Sequence, residues 1–385
     1  MIPYGKQSIS DQDIAAVESV LRSDWITQGP TIEAFERGLA AYAGAQFGVA
    51  VCNATAALHI ACLALEVGPG DLVWTSPNTF LASANCALYC GAGIDFVDID
   101  PDTYNMDVEA LSSKLQQSKR SGRLPKVVIP VHFAGQSCDM AKIGALAKEY
   151  GFKVIEDASH AVGADYLDGK VGNGRYSDLT VFSFHPVKIL TTGEGGMVMT
   201  NDANLAASLQ RLRSHGMTRD PKLMQKTDQG AWYYEQIELG FNYRITDIQA
   251  ALGLSQLGRL PQFVRQRRMV ADRYDHLLDG MSIVCPQQAA FGKSAYHLYP
   301  IWIDEAACGK SRRQVFDAMR EYGVGVNVHY IPVYWQPYYQ DLGFQPGWCP
   351  RAEQYYAGAI SLPMYYSLTE AEQDHVVAAL RRALV

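Results

Sequence analysis

The stretch Leu179 to Met197, LTVFSFHPVKILTTGEGGM, runs an apolar segment into a lone lysine and then into a glycine-rich reversal. Val181 and Ser183 alternate with Phe182 and Phe184, which predicts a strand with two unlike faces, and Pro186 ends its hydrogen-bonding ladder. Lys188 is thereby held at a sheet edge. Gly193, Gly195 and Gly196 permit positive φ and close backbone approach before a second strand resumes from Met197 to Thr200. The reading is a hairpin that presents one amine. Phe, Val, Ile and Leu neighbours strip water from that amine, which lowers its pKa and makes it a nucleophile toward an aldehyde or carbonyl. Taken alone, the same residues also describe a surface lysine beside a β-turn.

Working outward, strands and helices alternate. GVAVCNATAALH, Gly48 to His59, predicts a buried strand from Val49 to Cys52, a turn of small residues, and a helix from Ala56 to Glu66. A helix N-terminus offers free N–H groups and partial positive charge to a phosphate, and small side chains let the anion approach. A plain Thr-capped helix also satisfies this pattern. Asp71 to Thr75 and Ile94 to Ile99 read as further strands, and Phe80 of PNTF falls near a helix start, over a ligand or in the core. Gln116 to Lys126 reads as a solvated connection, Lys126 to Pro130 as a strand and Met140 to Tyr150 as a helix. FKVIEDASHA, Phe152 to Ala161, places Asp157 at the carboxyl end of a strand, where ligands sit in parallel sheets. Asp157 can face a protonated ring nitrogen or cap a helix from Ala158; His160 reaches the same neighbourhood. This alternation predicts an α/β fold with a mostly parallel central sheet.

The ends of the chain are simpler. Ser10 caps a helix to Leu21, another runs from Thr31 to Ala43, and Trp25, Ile26 and Gln28 lie between them without a core role. Met217 to Gly240 has no clean period and reads as a long excursion, after which Thr246 caps a helix and another runs from Leu260 to Leu278. Strand candidates Tyr296 to Ile303 and Val324 to Ile331 alternate with helices Ser311 to Tyr322 and Thr369 to Leu384. The expected division is a large domain over residues 1–250 and, over 251–385, the long helix with a small α/β domain.

Composition narrows the function. A net charge of -7 argues against nucleic acid or an anionic membrane as the main partner. Met1 to Ser10 lacks the n- and h-regions of a leader and no apolar run is long enough to span a bilayer, so a cytoplasmic location is expected. The eight cysteines form no CxxC pair, which predicts reduced thiols and no zinc or other metal site.

Lys188, Asp157, the Thr55-Ala56 helix start and Phe80 are all served by one cofactor, pyridoxal phosphate (PLP), with its aldehyde, ring nitrogen, phosphate and flat ring. The fingerprints of a dinucleotide fold or P-loop are absent. Lys188 in FSFHPVKILTTGEGG, Asp157 in EDASHA, NATAALH, PNTF, GFNYRITDIQAALG and TQGP resemble the DegT/StrS-type nucleotide-sugar aminotransferases over essentially the whole chain. The resemblance implies the type I, aspartate aminotransferase-like fold and a homodimer with shared active sites. It implies that Lys188 is the covalent anchor and proton-transfer base, that Asp157 partners the pyridinium, that Phe80 lies against one ring face and that His160 lies near the ring's phenolic oxygen side. Thr55, Ala56 and Ser183 would hold the phosphate, with Asn242 reaching in from the other subunit.

VNVHYIPVYWQPYY, IPYGKQ and SDWITQGP are similar to the branch of that family serving pseudaminic acid biosynthesis. That likeness implies glutamate as donor and a UDP-linked 4-keto-sugar of the L-series as acceptor. Tyr4, Trp25, Thr27, Gln28, His185, His329 and Tyr330 would line the sugar-nucleotide side. A D-series UDP-sugar or a dTDP-linked deoxysugar shares every cofactor residue. The dehydratase branch of the family carries histidine in place of the lysine, and an inactive regulatory protein of this fold would need no Lys188.

Overall fold

The computed structural model describes all 385 residues. Its seven-stranded sheet runs in the order Phe47–Val51, Gly196–Thr200, Leu179–Ser183, Lys153–Asp157, Val127–Ile129, Leu72–Thr75, Gly93–Phe96. Gly196–Thr200 is antiparallel to both neighbours and every other pairing is parallel. Mostly parallel strands need helical crossovers on both faces, and alternate side chains sort accordingly. Val49, Val127, Ile155, Leu179, Val181 and Val198 pack with the Ala54–Ala64, Ala82–Tyr89 and Ala203–Leu212 helices. Ala50, Val128, Val154, Phe182 and Met197 pack with Pro30–Ala43, Val108–Ser121, Met140–Tyr150 and the first half of Asp247–Leu278.

Both faces of this sheet are covered. The strand expected before Pro186 forms as Leu179–Ser183, with all five residues buried and its two faces packed against different helices. The chain from 116 to 121 departs from the surface connection expected there, because Asp107 caps a helix that continues to Ser121 and ends on Gly122 at φ 70°.

The two helices expected after Thr246 are one helix of 32 residues, Asp247–Leu278, with Pro261 inside it. A smaller antiparallel sheet, Ile283–Val284, Tyr299–Ile303 and Ala359–Leu362, packs on the second half of this helix with Arg312–Glu321 and Glu370–Ala383. The strand expected from Val324 to Ile331 does not form. Val324 and Asn327 make only isolated bridges, to Ile2 and Ser361, and the remainder of the segment turns toward the large sheet. Val333, Tyr334, Tyr339 and Tyr355 enter the same core as the Ala54–Ala64 helix. No helix is long and apolar enough to cross a membrane.

Candidate active site

A cavity of about 560 Å³ opens at the carboxyl edge of the large sheet. It is lined by Asn53, Ala54 and Thr55 from the first helix turn, by Asp157 and His160, by Ser183, His185 and Lys188, and by His329 and Tyr330 from the opposite side. Two open surface grooves of comparable size lie near Lys153 and Asp178, away from these groups.

The hairpin brings its lysine here by close backbone contact. Gly193 adopts φ 81°, and a Cβ on Gly196 would stand 2.7 Å from Asn53 C and 2.8 Å from Ala54 N. Only glycine lets the second strand of the hairpin lie against the helix turn. Burial lowers the Lys188 ammonium to about 8, with Asp157 pulling it back upward.

Asp157 does not cap a helix. Its Oδ1 accepts the Ser159 N–H at 3.1 Å and its Oδ2 accepts Ser83 Oγ at 2.5 Å, while the chain beyond it forms turns. The carboxylate is 4 % exposed and no cation of the chain pairs with it. A buried carboxylate in this state is ready for a cationic ligand group. The amine and the carboxylate, both facing one cavity beside open helix N–H groups, fit the aldehyde, ring nitrogen and phosphate of PLP.

His160 and the two groups across the cavity from it are neutral or protonated without charge. His160 Nδ1 accepts the Ala134 N–H at 3.3 Å, and its Nε2 lies 3.2 Å from Tyr330 Oη. Burial, then Lys188 and His329, hold His160 well below the usual imidazole range. Burial and Lys188 hold His329 down at about 3, while its Nδ1 meets Ser361 Oγ at 2.8 Å. Burial pushes the Tyr330 phenol upward, and its backbone N–H donates to Asn78 Oδ1. Tyr4 lies 5.7 Å from the His329 ring and also lines the cavity, as does the largely exposed Phe80.

Ala56 falls outside the lining. Asn53, not Thr55, caps the helix, and its Oδ1 takes the Ala56 N–H at 2.8 Å, which leaves Ala54 and Thr55 facing the cavity. Trp25, Thr27 and Gln28 are exposed and also outside it. Asp247 accepts the N–H groups of Gly29 and Thr31, and Thr27 bridges Thr246, so this turn is tied to the start of the long helix. Asn242, exposed and bridged to Ser214, lies outside the cavity of its own chain as well.

Sequence reasoning missed Ser83, Asn78 and His297. Ser83 sits on a helix of small residues whose only signal is one hydroxyl among alanines. His297 stands in SAYHLYP, where the strand pattern masked it.

Residues 7–381 match the model of the DegT/DnrJ/EryC1/StrS aminotransferase family. The spore coat polysaccharide biosynthesis protein SpsC of Bacillus subtilis (strain 168) is 39% identical over 383 residues, 99% of this chain and 96% of that protein. Helicobacter pylori PseC, an aminotransferase involved in the biosynthesis of pseudoaminic acid, superposes with a TM-score of 0.91 at 30% identity, over 100% of this chain and 99% of its own. The putative sugar aminotransferase Spr1654 of Streptococcus pneumoniae in its PMP-form gives 0.90 at 30% identity, over 100% and 99%. Its PLP-form is also similar. The expected type I fold and PLP dependence therefore hold, and this chain belongs to the DegT/DnrJ/EryC1/StrS aminotransferase family.

Proposed function

We propose that the protein moves an amino group from glutamate to C4 of UDP-2-acetamido-2,6-dideoxy-β-L-arabino-hexos-4-ulose, giving UDP-4-amino-4,6-dideoxy-N-acetyl-β-L-altrosamine. The observation that carries the amino-transfer part is the unpaired couple of Lys188 and Asp157 in one cavity. PLP, when bound, supplies an aldehyde for amines and an electron sink for charge developing at the substrate carbon. Lys188 anchors it and, with its pKa near 8, takes and returns the substrate proton close to neutral pH. Asp157 would keep the ring nitrogen protonated, and Ser83 donates to its Oδ2 and fixes the carboxylate. Ala54, Thr55 and Ser183, which line the cavity, would hold the phosphate, and Phe80 and His160 would stand beside the ring.

The choice of sugar is supported by likeness to PseC, and Tyr4, His185, His329 and Tyr330, which line the same cavity as Lys188, would meet it. Asn242 and the Trp25 to Gln28 turn sit together around the start of the long helix and outside their own cavity, an arrangement that suits delivery into a second copy's site. The active form is therefore a homodimer. Asn242→Ala lowers cofactor retention several-fold with the fold intact, as read by PLP titration; unchanged affinity removes Asn242 from the site.

The deciding experiment follows the cofactor's visible absorption. Glutamate should bleach it, and the 4-keto product of a UDP-GlcNAc 5-inverting dehydratase should restore it. Return only with a D-series or dTDP-linked ketone replaces the sugar assignment. Absence of any cofactor band defeats the reading of Lys188.

A further inference from the structure

His297 lines the cavity, and none of the roles above employs it. It is 4 % exposed, and its Nδ1 is sealed from solvent without a hydrogen-bond partner. The ring faces another imidazole: its centroid is 4.4 Å from that of His160, with the planes tilted by 49°.

The backbone around this pair is tied down by hydrogen bonds from two sides. Arg267, itself 2 % exposed, donates from Nη1 to the carbonyls of Tyr296 at 3.0 Å, His297 at 3.3 Å and Met364 at 3.0 Å. Ala295 and Leu298 donate their N–H groups to Gly135 and Ala134, so the segment bearing His297 is laced to the loop that holds His160 Nδ1. A Cβ on Gly135 would come within 2.9 Å of His297 N and 3.1 Å of His160 O. Ala134 and Tyr296 adopt left-handed φ of 56° and 47°. Such strain persists only where the surroundings over-determine it, and here it brackets two facing imidazoles.

We propose that His297 is a positioning residue for His160: its ring fills the space beside His160 and fixes where Nε2 stands in the cavity. The proposal rests on the reading of His160 as part of the site, although the contact itself needs no ligand. Because Nδ1 accepts the Ala134 N–H, a neutral His160 carries its proton on Nε2. The groups facing it are Lys188 and Asp157 from the sheet edge, His297 from the crossing segment, and His329 and Tyr330 from across the cavity. Burial is the largest influence keeping His160 neutral, and the His297 ring supplies part of that burial. Removing the ring admits water and lets His160 take a proton.

The test is the imidazole ¹⁵N shifts of the full-length protein between pH 5 and 8, with the PLP dissociation constant measured over the same range. In the wild type, His160 should keep a bare Nδ1 and a protonated Nε2 throughout. His297→Ala should make His160 titrate within that pH range, and its PLP dissociation constant should change by roughly 3-fold or more across that ionisation. This dependence should vanish when His160→Asn is added. His297→Phe keeps a flat ring in place and should restore the wild-type pattern. Wild-type His160 that titrates near its free value overturns the proposal even where His297→Ala fails to fold; so does an unchanged His297→Ala profile. A neutral His160 in a protein that does not bind PLP supports the contact and counts against the functional reading alone.

Discussion

Asp157 ends a strand of the large sheet and Lys188 lies in the hairpin connection between two of its paired strands, whereas the wall carrying His297, His329 and Tyr330 contains no strand at those residues. The first supplies the charges, an amine lowered to about 8 and an unpaired buried carboxylate. The second supplies imidazoles held neutral and a phenol held protonated. A charged group is worth most where its position cannot relax, and repeating backbone bonds give that rigidity. Neutral groups tolerate side-chain anchoring, since misplacing them costs less electrostatic energy.

Substitutions on the two walls should therefore differ in kind. Lys188→Ala should lower amino transfer by at least roughly 10³-fold while PLP still binds without covalent attachment, measured by single-turnover absorbance. Retention of more than a tenth of the activity would break the contrast at its strongest point. Asp157→Asn should cost on the order of 10²-fold in rate, because a neutral amide no longer favours the ring proton. A loss confined to KM would make Asp157 a binding residue instead. Ser83→Ala should cost about 10-fold by freeing the carboxylate of one charge-assisted bond.

The neutral wall should show itself mainly in acid. His329 is held at about 3 by burial and Lys188, while the unfolded chain takes up the same proton near 6.5. The folded state therefore loses stability as pH falls below about 6.5, continuing toward about 3. At pH 5.5 this amounts to about 1 kcal/mol for His329. Urea unfolding at pH 7.5 and 5.5 should show His329→Gln less acid-sensitive than wild type by that amount. An equal slope in both proteins would mean that His329 is protonated in the fold.

The same division governs what could be read from the chain. Asp157 and the Asn53 to Thr55 turn sit at ends of regular elements and Lys188 lies in the connection of one hairpin, so their spacing is local information. Even there, the hydroxyl of Ser83 carried no signal, because its partner lies 74 residues away. The segment from Val324 to Ile331 has the β-branched composition of a strand, yet Asn327 to Tyr330 serve the cavity and the ladder is abandoned. His297 is legible only once the Arg267 guanidinium and the Ala134 loop are seen around it. The Asn53 cap was hidden by Thr55, two residues on and equally suited to capping.

The lone reversed strand of the large sheet, Gly196–Thr200, has one more consequence, for the order of assembly. Because it doubles back on Leu179–Ser183, Lys188 lies inside a connection of about a dozen residues, whose closure carries a small entropic cost. Tyr330 meets His160 only across 170 residues. Short-range pairings precede long-range ones when loop closure limits the search. The amine is thus presented on its hairpin before the facing wall docks, and the last event in folding is the one that shields it from water.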